Sequence, residues 1–344
     1  MTKENKVKYI IKHIRVTTCG QLYQIWKENK PLYERSPKSG LTLDVEYADN
    51  LMAINNKLNN SKVMVCLHGA PGSHADFAHI IEYMTQIGVR VIAPNFPDYS
   101  VTIKTEIFRH SAEEKTEFIK DFLKTIGINK VDVILAHSSA IYPSTLLWCD
   151  PNGPQIDSFV LLNPGGHRRI KAMRPVWYTE GSVKVYQNKW GRSLFSTFGT
   201  AFLNLTKTVT VKADNMNNVI LSASTMRYSR FKQLGDRLKK LRECKVPVLL
   251  VFSENDRLIE KEIFYEMSEI LGANKDNIAY YDINGQLENQ FSSNDTIRVV
   301  SFRSGGHYCF LKYTHIVNQF CDQLLKSLDD KPLINNKVIY NTDF

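Results

Sequence analysis

The sequence predicts an α/β protein with a mostly parallel sheet and helices on both of its faces. Short apolar runs alternate with segments of amphipathic helical periodicity along most of the chain, which is typical of βαβ units. The apolar runs are continuous, as expected of strands that are buried on both faces. With 344 residues, of which 43% are hydrophobic, the chain is long enough for one large domain with an insertion or for two ordinary domains.

The predicted elements begin with two short β-rich segments, residues 7–17 and 41–47, which fit an antiparallel start to the sheet. The next elements are a strand at 62–67, a helix at 75–88, a strand at 89–93, a helix at 111–126 and a strand at 131–135. They are followed by a helix from 141, strands at 158–164 and 246–252, a helix at 261–271, a strand at 299–302 and a helix at 315–328. The helices are predicted from apolar residues at spacings of three and four, and Ser111 is a typical N-cap residue.

The same order suggests how the chain is organised. We expect residues 41–164 and 245–328 to form the core, with an N-terminal β extension at 1–40 and a loose polar tail at 329–344. Residues 165–244 interrupt the alternation and are rich in aromatic side chains. We interpret them as a lid that is inserted between two strands of the sheet.

Bulk composition argues against several classes of function. No stretch approaches the roughly 18 consecutive apolar residues that span a bilayer, and charge breaks the N-terminal apolar run too early for a secretory signal. Six scattered cysteines indicate reduced thiols in a cytoplasmic protein without a metal site. The net charge of +9 indicates a solvated basic surface, and we expect no nucleic-acid partner because no nucleic-acid-binding motif is recognisable.

The most informative stretch is Ala136-His137-Ser138-Ser139-Ala140, which lies between a buried strand and a helix. In that context, small–x–Ser–x–small is typical of a nucleophile elbow, a sharp turn that holds the serine in a strained conformation. The usual flanking glycines are alanines here, and an ordinary turn with incidental small residues is the alternative. Centring the pattern on Ser139 would put His137 and Ile141 at the small positions, so Ser138 is the candidate nucleophile.

A second string, His68-Gly69-Ala70-Pro71-Gly72-Ser73, follows the strand at 62–67. Acyl transfer creates a tetrahedral oxyanion that needs preorganised N–H donors. At an elbow, one donor is the amide after the nucleophile, which is Ser139, and the other comes from the loop after an earlier strand. The Ala70 amide is the candidate for the second donor, although an ordinary Gly-Pro turn would give the same string.

The candidate acid and base follow two later strands. Asp256 is the best-placed acid to orient a catalytic histidine, and Glu254 is the reserve; a helix N-cap would be the structural alternative. His307 follows a glycine pair that would let a loop bring it over the serine. The order Ser138, Asp256, His307 is that of nucleophile, acid and base in an α/β-hydrolase. We assign His137 a packing role, because adjacent residues of an elbow point in different directions.

With these strings, the chain resembles the α/β-hydrolase superfamily over residues 41–328. The stretches 68–77 and 303–307 are similar to a nematode-type branch of it. The resemblance implies the α/β-hydrolase fold, a Ser–Asp–His triad, no cofactor and a lid over the site. The usual Asp-x-x-Gly-x-Gly string after the fourth strand is altered to Asn95-Phe96-Pro97-Asp98-Tyr99-Ser100. Haloalkane dehalogenases and epoxide hydrolases share the His-Gly-x-Pro string but use an aspartate nucleophile, and Ser138 argues against both.

The predicted lid supplies candidate substrate contacts. Trp177, Trp190 and Phe198 would line an apolar pocket for an acyl chain or an aromatic group, or else form a small core of the lid itself. Basic residues in the same segment favour a solvated face, and the alternatives are peripheral contact with an anionic membrane surface or binding of an acidic head group.

Together these features predict a serine hydrolase that cleaves an ester or thioester of a small-molecule or lipid-like acyl substrate through an acyl-enzyme. Two alternatives stay open: a non-catalytic relative that binds a ligand or partner, and an acyltransferase that excludes water. The intact Ser138, Asp256 and His307 argue against the first. Nothing in the sequence separates hydrolysis from transfer.

Overall fold

The computed structural model describes residues 10–54, 61–97, 107–186, 190–191, 193, 216–292 and 296–329. The strands of its main sheet are β1 (Ile10–Cys19), β2 (Gly40–Asp49), β3 (Val63–Leu67), β4 (Arg90–Pro94), β5 (Val133–His137), β6 (Phe159–Leu162), β7 (Val248–Ser253), β8 (Ile278–Tyr281) and β9 (Ile297–Phe302). The helices are α1 (Gly20–Lys27), α2 (Ala78–Gln86), α3 (Ala112–Thr125), α4 (Ile141–Cys149), α5 (Val176–Tyr186), α6 (Met216–Arg227), α7 (Leu234–Glu243), α8 (Lys261–Ile270), α9 (Cys309–Lys312) and α10 (Thr314–Ser327).

The nine strands form one sheet in the order β1-β2-β4-β3-β5-β6-β7-β9-β8. The pairs β1–β2 and β2–β4 are antiparallel, and every other pair in the sheet is parallel. The predicted fold class, a mostly parallel sheet with an antiparallel start, is therefore confirmed. Parallel strands all point their carboxyl ends at the same edge, and the loops that leave this edge are brought together there.

Apolar residues on both faces of the sheet explain why the strands have continuous apolar sequences. Along β3, Val65 packs in one core cluster and its neighbour Cys66 in the other, because successive side chains of a strand point to opposite faces. Helices α3, α4, α7 and α8 cover the first face. Helices α2 and α10 cover the second.

Two features of the domain organisation differ from the sequence interpretation. The N-terminal segment 1–40 is not a separate β extension, because its strand β1 belongs to the main sheet beside β2. It is also not only β structure, because helix α1 follows β1 directly. Residues 165–244 include α7, whose buried leucines pack in the core beside α4 and α8. We therefore place α7 with the helix layer over the sheet, while the rest of the predicted lid and the tail stay predictions.

The edge strand β8 was not predicted, because its four residues are too few to show a periodicity. It pairs with β9 in parallel. In the described part of the chain, no helix combines the length and the apolar character that crossing a membrane requires.

Candidate active site

Three loops at the carboxyl edge of the sheet carry the predicted triad residues. Ser138 follows β5, Asp256 lies in the loop after β7, and His307 lies in the loop after β9. Since β5, β7 and β9 are separated in the sheet only by β6, their carboxyl ends are neighbours. The topology therefore converts three positions that are distant in sequence into one cluster.

The turn at Ser138 has the backbone strain of a nucleophile elbow. Ser138 has φ of 54°, a left-handed conformation that is costly for a residue with a Cβ atom. The flanking Ala136 and Ala140 are 0% and 1% exposed, so larger side chains would have to displace the buried groups around them. The Ser138 carbonyl accepts a hydrogen bond of 2.9 Å from the Gly165 amide, which ties the elbow to the loop after β6.

The side chains of the three residues form a continuous hydrogen-bonded chain. His307 Nε2 lies 2.8 Å from Ser138 Oγ, and His307 Nδ1 lies 2.7 Å from Asp256 Oδ2. The Asp256 side chain is 0% exposed and that of His307 is 11% exposed. A buried carboxylate on one ring nitrogen and a hydroxyl on the other is the arrangement that lets an imidazole take a proton from a serine.

Asp256 is held by donors other than His307. Its Oδ1 accepts hydrogen bonds from the backbone amides of Leu258 at 2.8 Å and Ile259 at 3.3 Å. Its Oδ2 accepts one from the Asn163 side chain at 2.9 Å. Glu254, the reserve acid, faces elsewhere and accepts a hydrogen bond of 2.7 Å from the Tyr265 hydroxyl.

The loop that carries His307 depends on two glycines with positive φ. Gly305 has φ of 122° and Gly306 has φ of 62°, conformations that side chains disfavour. The loop is also anchored on β7, because the Ser253 hydroxyl donates to the Gly306 carbonyl at 2.7 Å and the Gly306 amide donates to the Asn255 side chain at 2.9 Å. These contacts fix the position from which the imidazole reaches Ser138.

His137 contacts both the backbone and the ring of His307. Its Nε2 lies 3.0 Å from the His307 carbonyl oxygen, and its ring packs against those of His307, Tyr308 and Phe310. Burial, and then the nearby charge of His307, holds the pKa of His137 well below its usual value. A neutral, buried imidazole fits the predicted packing role, and the structure adds a hydrogen bond that positions the base.

The candidate oxyanion loop lies directly against the elbow. A methyl group at Gly69 would lie 2.7 Å from the Ser138 Cβ atom, so only glycine fits between the two loops. Ala70 follows this glycine, and Ser139 lies in the helical turn Ser138–Ala140, where the first amides have no partner within the helix.

His68 fixes the start of the same loop. The Phe96 amide donates to His68 Nε2 at 2.8 Å, and His68 Nδ1 lies 2.6 Å from the Gly69 carbonyl oxygen. Burial lowers the pKa of His68 to about 3, so the ring is neutral and can both accept and donate.

The loop with the altered family string is described as far as Pro97. Its first residue, Asn95, accepts a hydrogen bond of 2.7 Å from the His74 amide and donates one of 2.9 Å to Glu46. Asn95 therefore joins the loop after β4 to the loop that carries Ala70. The remaining residues of the string, 98–100, lie outside the described residues.

Sequence reasoning missed the polar residues that hold the triad in place, namely Asn163, Ser253 and Asn255. Asn163 has φ of 39°, and its carboxamide oxygen accepts a hydrogen bond from the Cys309 thiol at 3.0 Å. A weak signal existed, because all three polar residues stand at or just after the end of an apolar strand. Their partners lie 50 to 150 residues away in sequence, and no local pattern identifies them.

The predicted substrate contacts of the lid are only partly described. Trp177 is 75% exposed and Trp190 is 65% exposed, so neither is buried in an apolar core. Phe198 lies outside the described residues. The involvement of these three side chains in substrate binding stays a prediction.

Comparison with known proteins agrees with the fold. Residues 27–326 match a family described as "Alpha/beta hydrolase of unknown function (DUF1057)". A Caenorhabditis elegans relative, "Uncharacterized protein F35H12.5", is 23% identical over 130 residues, which are 36% of this chain. The match spans only 35% of the length of that relative, and it gives the nematode-type resemblance limited support.

Solved structures of several hydrolases share the architecture. A haloalkane dehalogenase from Bradyrhizobium elkani has a TM-score of 0.59 at 12% identity, covering 94% of this chain and 99% of that one. A thermophilic esterase from Thermogutta terrifontis has a TM-score of 0.54 at 13% identity, with coverages of 92% and 99%. A putative lipase from Acinetobacter baumannii has a TM-score of 0.53 at 16% identity, covering 90% of this chain and 97% of that one. At these identities the likeness concerns the fold alone.

The family match covers most of the chain, and the large, mostly parallel sheet has the corresponding architecture. This protein therefore belongs to the alpha/beta hydrolase family DUF1057.

Proposed function

We propose that this protein is a serine hydrolase that cleaves an ester or thioester of a small-molecule or lipid-like acyl substrate. The observation that carries the proposal is the hydrogen-bonded chain from Ser138 through His307 to Asp256, with distances of 2.8 and 2.7 Å. The strained φ of Ser138 supports it, because such strain is concentrated at functional residues.

The proposed reaction has two steps. His307 Nε2 takes the proton from Ser138 Oγ as the oxygen attacks the carbonyl carbon, and the protonated His307 then gives that proton to the leaving group. In the second step His307 takes a proton from water, which attacks the acyl-enzyme, and the proton returns to Ser138 as the acid product leaves. Asp256 keeps the histidine in the correct tautomer and stabilises its charged form.

The Ala70 and Ser139 amides are the proposed donors to the oxyanion. Ser139 lies at the N-terminal turn before α4, where the helix dipole favours negative charge. The close approach of Gly69 to Ser138 supports the second donor, because it brings the loop that carries Ala70 beside the candidate nucleophile. Removal of one such donor in other hydrolases costs about 10²–10³ in kcat.

The test is labelling of the purified protein with a fluorophosphonate probe, which reacts with activated serines. We expect the wild type to be labelled and Ser138→Ala and His307→Ala to be unlabelled. Ser139→Ala is the matched control, because it removes the neighbouring hydroxyl but keeps the backbone amide. Circular dichroism checks that each variant is folded.

The two alternatives give different results in this test. A folded wild type that is not labelled would favour the non-catalytic binding protein. Labelling followed by transfer of the acyl group to an added alcohol or amine, in preference to water, would favour an acyltransferase. Release of the free acid would support hydrolysis, and an ester and thioester panel would then define the substrate.

Two further parts of the proposal concern the surroundings of the protein. The six free cysteines, four of them buried, support the predicted cytoplasmic location, where thiols stay reduced.

The exposed Trp177 and Trp190 would suit peripheral contact with an anionic membrane, because tryptophan is favoured at the interface of water and lipid. Co-sedimentation with anionic and neutral vesicles tests this contact.

A further inference from the structure

A cavity of about 330 Å³ lies in the segment between β6 and β7, separate from the triad residues. It is bounded by the chain that leads into α5, by α5 itself, by the last residue of α6 and by the residues that follow it. Its apolar wall is formed by Met173, Val176 and Phe231. Cavities of this size are at the lower end of those that bind small organic ligands.

The rest of the lining is strongly basic. Among the described lining residues are Arg169, Arg227, Arg230 and Lys232, against the single carboxylate of Glu180. Arg230 is already paired with Glu113 at 2.7 Å. Within the described ranges, the other three cations have no ion-pair partner.

Arg227, which lines the cavity, carries a donor that no described residue satisfies. Its Nη1 atom is shielded from solvent, and it hydrogen-bonds to no group in the part of the chain that the structure describes. A shielded guanidinium N–H without a partner is costly, and buried donors are normally satisfied. An oxyanion in the cavity would satisfy it, because guanidinium groups match carboxylates and phosphates in geometry.

From these observations we infer that the cavity binds the anionic end of a small amphipathic ligand, a carboxylate or a phosphate monoester, whose apolar part packs on Met173, Val176 and Phe231. Among the residues that the structure describes, three of the lining cations have no carboxylate partner, and a neutral ligand would compensate none of these charges. An inorganic ion would make no use of the apolar wall, whereas the hydrocarbon part of an amphipathic ligand would pack on it.

The cavity is within reach of a substrate whose ester lies at Ser138. The Gly165 amide is hydrogen-bonded to the Ser138 carbonyl at 2.9 Å, and Arg169 follows four residues later. Four residues of fully extended chain span at most about 14 Å. The identification of the ligand as an acidic substrate, and not as an effector, rests on the proposed hydrolase function.

The deciding experiment is calorimetric titration of the full chain with hexanoate, with hexyl phosphate and with hexan-1-ol as the neutral control. We expect saturable binding of one or both anions and none of the alcohol, and the tighter anion identifies the head group. Arg227→Gln and the double variant Arg169→Gln/Lys232→Gln should each weaken the anion by about tenfold or more. The double variant changes exposed side chains and covers the case in which Arg227→Gln fails to fold.

Two controls separate this inference from the proposed function. Lys239→Gln removes the same charge from an exposed position of α7 outside the cavity, and it should bind the anions like the wild type. Ser138→Ala should also bind them unchanged. Equal binding of hexan-1-ol, or anion binding that no cavity variant weakens, would overturn the inference even if esters are hydrolysed. Intact anion binding in a protein that hydrolyses no ester would leave the site standing and overturn the hydrolase instead.

Discussion

The corner that holds Ser138, Asp256 and His307 differs from the segment between β6 and β7 in how its polar groups are satisfied. In the corner, the Asp256 side chain is 0% exposed and accepts four hydrogen bonds, two from amides and two from side chains. In the segment, Trp177 is 75% exposed and Arg227 Nη1 has no acceptor among the described residues.

This difference fits the roles proposed for the two regions, catalysis in the first and ligand binding in the second. A group that must meet a reacting atom has to be held to within a fraction of an ångström, and Asp256 is held in this way by four donors from the loops that leave the sheet. A group that selects a ligand needs hydrogen-bond donors or acceptors that the protein itself does not use. Substitutions in the corner should therefore have large effects on rate, and substitutions in the segment should affect binding with little cost in stability.

The largest effect is expected from Asp256→Asn. An amide can neither orient the His307 tautomer nor stabilise its cation, and we expect kcat to fall by roughly 10⁴-fold, as for the same change in other triads. The measurement is the rate of ester hydrolysis or of fluorophosphonate labelling. Glu254→Gln is the control, because its carboxylate is bonded to Tyr265 and not to His307. A loss in Glu254→Gln as large as in Asp256→Asn would contradict the assignment of the acid.

Gly69→Ala should come next. Its methyl group would lie 2.7 Å from Ser138 Cβ and 3.2 Å from His137 Nδ1, which forces the oxyanion loop and the elbow apart. A displacement of about 1 Å at a reacting group costs roughly 10²-fold in rate. Gly235→Ala is the matched control, because a methyl group there would meet no described heavy atom within 4 Å and alanine favours the helix. Full activity of Gly69→Ala would show that the corner is less rigid than we infer.

His68 should make stability depend on pH. The folded protein keeps this ring neutral because burial lowers its pKa to about 3, while the unfolded chain takes up a proton below about 6.5. The unfolded state therefore binds more protons between these values, and stability falls as the pH falls. From pH 7 to pH 5, urea denaturation should show a loss that is about 2 kcal/mol larger in the wild type than in His68→Gln. Equal losses in both proteins would contradict a neutral His68.

The smallest effect on stability is expected from Trp177→Ala. An exposed side chain contributes little to folding, so the free energy of unfolding should change by no more than about 0.5 kcal/mol. Trp148→Ala is the comparison, because Trp148 packs against the core cluster and its loss leaves a cavity. If Trp177 contacts substrate as predicted, KM for a long-chain ester should rise in Trp177→Ala while stability is kept. A large loss of stability would place Trp177 in a core instead.

Much of the fold was predictable because its signals are local. The apolar runs of β3, β5, β6 and β7, and the capping box that Ser111 forms with Glu114 at α3, depend on neighbouring residues only. The strand β8 and the helix α7 were missed because a short strand has no periodicity and because α7 lies inside an atypical segment. The nucleophile, acid and base were chosen from order and context, and their roles stay predictions until labelling tests them.

The sequence by itself predicted the sharp turn at Ser138 from small flanking residues between an apolar strand and a helix, with an ordinary turn as the alternative. It also supplied the two glycines whose positive φ angles the His307 loop requires. Tertiary structure put Asp256, and not Glu254, within hydrogen-bond distance of His307, and it brought Asn163, Ser253 and His137 into contact with Asp256 and the His307 loop. The physical reason is that a hydrogen bond depends on positions and angles in space, and strand order in the sheet sets these for residues more than a hundred positions apart.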